Sequence, residues 1–146
     1  MNNDTNCDLS IVRRAPVFWK YLPYFCKVRG LLFINRIYLR ADVFDDVYSS
    51  SPDPYSISIL IHEQTHYQRM KEIGMLRFGI KYIFSAKGRF EEELAAITEQ
   101  MRYLKEHGKN YNIERTARAL SSWYYLWCSD YKVAYKELEN RWNSLN

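Results

Sequence analysis

Apolar density is highest first between Leu31 and Arg40, where the run LLFINRIYLR is rich in β-branched and aromatic residues and has the length of one strand. The stretch after it carries Asp45-Asp46 and then Ser49-Ser50-Ser51-Pro52-Asp53-Pro54, and reads as a loop. That loop ends in a helix start signal, since Asp53 can accept from free backbone N–H groups and Pro54 suits the first helical position. The spacing predicts a helix to about Ile73, where Gly74 stops it. Met75 to Ser85 is aromatic, contains Gly79, and reads as a short helix or an irregular connection. A second clear helix is predicted from Gly88 or Arg89 to Gly108, with Phe90, Leu94, Ile97, Met101 and Leu104 forming one apolar stripe. From Ile113 through Leu120, Trp127 and Ala134 to Trp142 a helical period continues almost to the end, as one long helix or two. Residues 1–10 read as a frayed tail, and Ile11 to Gly30 is broken by Pro16 and Pro23, so any helix there is short.

These elements predict a single domain over residues 1–146, α+β in class and mainly helical, with residues 1–28 as a basic, aromatic N-terminal extension. Composition agrees: 47% hydrophobic and 26% charged residues exclude a disordered or low-complexity chain. Five Gly and four Pro are too few for an all-β protein built on many tight turns. No apolar run approaches the ~18 residues of a membrane span. The polar opening lacks the basic start and apolar stretch of a secretory signal, so a cytoplasmic protein is expected. Cys7, Cys26 and Cys128 are widely spaced and odd in number, which points to free thiols. The net charge of +4 is uneven, with seven basic residues among 1–40 (Arg13, Arg14, Lys20, Lys27, Arg29, Arg36, Arg40) against Asp4 and Asp8. Such a segment can touch an anionic partner, although an ordinary solvated face is the plainer reading, and nucleic acid is not the expected ligand.

Candidate chemistry is concentrated at His62-Glu63-Gln64-Thr65-His66, an HExxH match that uses two of only three histidines. On a helix, residues four apart lie about 40° apart around the axis and roughly 6 Å along it, so two imidazoles can converge on one metal ion. Glu63, offset by about 100°, can face a water on the open side of that ion without being a ligand. This is the arrangement in which Zn²⁺ acidifies its water and a carboxylate takes the proton. By chance the pattern should occur in roughly a few of every thousand chains of this length. The plainer alternative is a helix with two partly buried, hydrogen-bonded histidines.

A zinc site needs a third protein ligand, and Glu91-Glu92-Glu93 opens the next predicted helix. Acidic residues in a first turn also complement the helix dipole without any metal. With the apolar stripe centred at zero, Glu93 falls near about −60°, Glu91 near about +100°, and Glu92 on the far side. If the stripe packs on the HExxH helix, Glu93 lies at its edge and reaches the metal. His107 lies fourteen residues beyond Glu93, about 21 Å along a straight helix, and reads as a helix-end histidine.

HExxH followed by a glutamate helix with an E-x-x-A pattern resembles the gluzincin metallopeptidases, especially their compact, minigluzincin-like members. The resemblance covers roughly residues 31–107 and implies a zincin-like fold with a small sheet before the active helix. It implies His62, His66 and Glu93 as ligands of one Zn²⁺ and Glu63 as general base, with Ala96 as the close-packing alanine. Glu92 with Ala95 satisfies the same pattern. The Asp that some gluzincins carry four residues after the ligand glutamate is replaced here by Ile97, or by Ala96 if Glu92 is the ligand. The implied activity is hydrolysis of a peptide or protein substrate. The competing expectation is a non-enzymatic zincin-like binding or assembly module, because no oxyanion donor is identified. Tyr111 and the Tyr124–Tyr125 pair are considered for that role, and none is assigned it. The aromatic C-terminal stripe reads as packing, and the segment from Arg13 to Lys20 as a possible cover for the cleft.

Overall fold

In the computed structural model, residues 9–21 and 28–145 are described; the N-terminal tail through Asp8, with Cys7, and the stretch holding Pro23 and Cys26 lie outside them. Among the described residues three short strands form one sheet: β1 (Val12–Arg14), β2 (Gly30–Phe33) and β3 (Arg36–Leu39). Their order is β1-β3-β2, with β1 parallel and β2 antiparallel to the central β3. Six α-helices follow among the described residues: α1 (Ala41–Val47), α2 (Pro54–Ile73), α3 (Met75–Phe84), α4 (Ala86–Glu106), α5 (Ile113–Leu120) and α6 (Tyr131–Ser144). The chain is therefore mainly helical with a small sheet, as its patterning predicts. Between Pro16 and Gly30 the only described helical element is the short 3-10 turn Val17–Tyr21.

The run Leu31 to Arg40 is not one strand but a hairpin, turned at Ile34 and Asn35 with φ of 40° and 63°. Two-residue hairpin turns need left-handed backbone at both central positions, usually supplied by Asn-Gly. Here the pair is Ile-Asn, so no glycine marks the turn, and the β-branched Ile34 sits in a conformation it resists. The stretch after it is not all loop either. Val43 and Val47, four residues apart, are buried as α1 packs beside the sheet and α2.

Helix α2 has the predicted bounds. The Asp53 carboxylate accepts from the Tyr55 N–H at 3.0 Å, and Gly74, at φ 88°, ends the helix. Met75 to Phe84 is a helix, α3. Helix α4 starts at Ala86, earlier than Gly88, because the Ser85 hydroxyl accepts from the Gly88 N–H at 2.9 Å. This places Glu91, Glu92 and Glu93 in the second turn, where the dipole accounts for them poorly. The C-terminal periodicity divides into α5 and α6. Between them Leu126 and Trp127 take left-handed backbone, and Asp130 caps α6.

Two apolar cores result. One joins the sheet, α1 and α2 through Val12, Ile37, Leu39, Val43, Ile59 and Leu60. The other joins α4 to α5 and α6 through Leu94, Ile97, Met101, Ala117, Leu120 and Leu138. The α4 stripe therefore packs on α5 and α6 rather than on the HExxH helix. Helix α2 instead meets the adjoining flank of α4, where the Gln100 amide donates to the Ser58 hydroxyl at 3.2 Å. Ala96, fully buried, lies on that flank, whereas Ala95 is half-buried.

Candidate metal centre

The flank of α4 that faces α2 carries Glu93, and the turn of α2 opposite it carries His62 and His66. The two Nε2 atoms stand 3.2 Å apart. Glu93 places Oε2 3.4 Å from His62 Nε2 and Oε1 3.3 Å from His66 Nε2. All three side chains are largely withdrawn from solvent. An ion bound tetrahedrally with bonds of about 2.0–2.1 Å spans about 3.3–3.4 Å between neighbouring ligand atoms. The Nε2–Nε2 and His62 Nε2–Oε2 separations are close to that edge, the contact with His66 being made by the other oxygen, Oε1, and the donor set of two imidazoles and a carboxylate suits zinc. Among the described residues Glu93 Oε2 is buried with no hydrogen-bond partner, which leaves it available to an ion. The residues fit the metal that the motif implies.

Electrostatics bear on the same point. Burial works against a charge on Glu93, but the pull of His66 and His62 outweighs it and holds the carboxyl well below its ordinary range. Both Nδ1 atoms are also buried without a partner among the described residues, so none of these orients either ring from its Nδ1 side.

Glu63 lies one residue from His62 on α2 and is buried beneath the edge strand β2. Burial pushes its carboxyl up to about 7; His62 and a hydrogen bond from the Leu32 backbone N–H pull it down, and Glu93 pushes it up. Gly30 makes this approach possible. A Cβ there would stand 2.8 Å from Glu63 Cγ and 3.0 Å from its Oε1. That close passage of strand over helix brings the Leu32 N–H within reach of the Glu63 carboxyl.

Glu92 has a different role. It is fully buried on the side of α4 away from the apolar stripe, a side that helical periodicity alone would leave to solvent. Arg69 from α2 donates to it at 2.8 and 3.0 Å, and Lys81 from α3 at 2.8 Å. These cations hold its carboxyl below the ordinary range. Glu91 is half-exposed and pairs with Lys81 at 3.1 Å. Among the three glutamates only Glu93 reaches the histidines.

One residue of the centre escapes sequence reasoning. Tyr82, on the inner face of α3, donates its hydroxyl to Glu93 Oε1. Its ring stacks on Phe78 and lies edge-on to His66, with centroids 5.8 and 5.9 Å away. Burial and the Glu93 charge push the phenol well above its ordinary range, so it remains a donor. The backbone of Tyr82 is held in turn by the buried Arg89, whose guanidinium donates to the carbonyls of Tyr82, Ile83, Tyr125 and Leu126. With thirteen tyrosines in the chain, the only available signal was position: Tyr82 lies four residues after Phe78, on the face that α3 turns inward.

The remaining candidates lie elsewhere. His107 ends α4, with Nδ1 2.8 Å from the Tyr103 carbonyl and its ring stacked on Tyr103. The Tyr111 hydroxyl accepts from Thr116 at 2.9 Å. Cys128 is buried and unpaired, and burial pushes its thiol up to about 11. No helix among the described residues is long and apolar enough to cross a membrane. No protein-family model matches the chain, and neither the curated proteins nor the solved structures contain a significant match to it.

Proposed function

We propose that the chain is a zinc-dependent peptidase of gluzincin type, with His62, His66 and Glu93 as ligands and Glu63 as general base. The observation that carries this reading is the convergence of two imidazole nitrogens and one carboxylate at 3.2, 3.3 and 3.4 Å, beside a buried glutamate on the helix of the two histidines. Zinc, when bound, supplies a Lewis acid for the substrate carbonyl and lowers the pKa of water to about 7. Glu63, whose own carboxyl is pushed up to about 7, is matched to receive a proton from that water and pass it to the leaving amine. Tyr82 holds Oε1 of Glu93 and leaves Oε2 for the ion. A peptide substrate is supported by β2, an edge strand of the described sheet that passes over Glu63.

The test is metal content of purified wild-type protein, His66→Ala and Glu93→Gln, followed by hydrolysis of a peptide library by wild type and Glu63→Gln. One zinc per chain is expected in wild type and Glu63→Gln, and none in the two ligand variants. Hydrolysis should fall in Glu63→Gln by at least about a hundredfold. A wild-type protein that takes up no zinc, or a zinc-loaded Glu63→Gln that is as active as wild type, refutes the reading. A zinc-loaded wild type inert on all peptides would leave the non-enzymatic module in its place.

A further inference from the structure

Helix α3 has two apolar faces, and only one of them is used by the site. Phe78 and Tyr82 turn inward to His66 and Glu93. Leu76, Ile80 and Ile83 lie within about 60° of one another around the helix, and Phe78 lies about 150° away from them. This outer face is bare: Leu76 is 75% exposed and Phe84, at its end, 80%. A second apolar projection adjoins it. Arg89 ties the carbonyls of Tyr82 and Ile83 to those of Tyr125 and Leu126, so the turn bearing Leu126 and Trp127 stands next to the end of α3. Trp127 is 66% exposed and Leu126 56%.

Charge indicates what covers this surface. Residues 73–90 contain Arg77, Lys81, Lys87 and Arg89 and not one acidic residue. Lys81 is occupied by Glu91 and Glu92, and Arg89 by the four carbonyls. Arg77 and Lys87 are exposed, one at the rim of the apolar face and one just beyond its end, and among the described residues neither meets a carboxylate. An apolar face with large aliphatic and aromatic side chains, with Arg77 at its rim, Lys87 beyond its end and an exposed tryptophan beside it, matches the interfacial zone of a bilayer. Glu72 and Glu91, at the two ends of this segment, are already paired with Arg69 and Lys81, so a second copy of the chain brings to these two cations no carboxylate from the same face that is not already engaged.

We infer that the outer face of α3 and the Leu126–Trp127 turn dock on the surface of an anionic phospholipid bilayer, without spanning it. This inference does not depend on the metal chemistry. Where that chemistry holds, the docked helix is also the wall of the site, which places the centre at the membrane surface.

The test is co-sedimentation of the full chain with vesicles of phosphatidylcholine alone and with about one-third phosphatidylglycerol. Wild type should bind the anionic vesicles and bind the neutral ones far more weakly. Arg77→Glu with Lys87→Glu should reduce binding to anionic vesicles by at least about twenty-fivefold, at roughly fivefold per charge removed. Ile83→Asp with Phe84→Asp should reduce it by roughly a hundredfold. Both pairs replace exposed side chains, and thermal unfolding checks the fold. If the aspartate pair fails to fold, the charge-reversal pair decides. Failure of wild type to bind anionic vesicles, or equal binding by wild type and the charge-reversal pair, overturns the inference. So does a lipid-free dimer that Ile83→Asp dissociates, which would assign the face to a second copy.

Discussion

Replacing Tyr82 with phenylalanine removes one hydroxyl and keeps the ring that packs on Phe78 and His66. The lost hydrogen bond is made to an ionised, fully buried carboxylate, and bonds of that kind contribute about 1.5–3 kcal/mol net. The loss falls mainly on the zinc-bound state. In metal-free protein, Glu93 Oε2 and Oε1 lie 3.4 and 3.3 Å from His62 and His66 Nε2, contacts that offset part of the loss. Were zinc held by Glu93 with His62 and His66, the carboxyl would be fixed, and without the Tyr82 hydroxyl its Oε1 would be left buried without that donor. At about 1.4 kcal/mol per factor of ten, zinc affinity should weaken about ten- to a hundredfold, the range that outer ligand-orienting residues typically command. Competition titration against a chromophoric chelator measures this directly, with thermal unfolding of the metal-free proteins as the control for folding. An unchanged zinc affinity in a natively folded Tyr82→Phe would refute the assignment of Tyr82 as the positioning residue for Glu93.

Glu92→Gln should destabilise the fold by about 2 kcal/mol, since it weakens bonds from Arg69 and Lys81 to a buried carboxylate. It should still bind one zinc per chain, whereas Glu93→Gln should bind none; denaturant unfolding and elemental analysis check the two halves. Gly30→Ala sets a Cβ 2.8 Å from Glu63 Cγ, so it should lower peptide hydrolysis by about tenfold or more while zinc content stays at wild type. A pH dependence follows from Glu63 in the metal-free protein. Burial raises its folded carboxyl from an ordinary 4.5 to about 7, so between those values the folded state keeps a proton that the unfolded state has released. Stability therefore falls as pH rises across that window. Melting temperatures from about pH 4.5 to 7 should drop more steeply for wild type than for Glu63→Gln, and parallel curves would contradict the burial argument.

Local signals were sufficient for much of this protein. The Asp53-Pro54 start and Gly74 stop defined α2, because caps act within one turn of the backbone they satisfy. The four-residue spacing of His62 and His66 put both rings on one side of that helix for the same local reason. Apolar periodicity located α4 and the two C-terminal helices, apart from the break between the latter. Turns were less readable. The hairpin at Ile34-Asn35 and the short α1 carry no glycine and no long period, and both depend on burial against β1 and α2.

What the sequence determined alone is the helix that carries the histidines and the glutamate cluster that follows it. Which glutamate faces them was decided by tertiary structure. Helical angles favour Glu93 only on the premise that the α4 stripe packs on α2. The stripe packs on α5 and α6, and α2 meets the flank beside it. Glu92 is buried not by its own helix but by Arg69 and Lys81, brought from α2 and α3. Tyr82 reaches Glu93 because α3 folds back against α4 under the clamp of Arg89, a contact between side chain and carbonyls that no spacing encodes. A single chain segment specifies the direction of its side chains through backbone geometry, but the charge or metal opposite each one is supplied by whichever helix packs there.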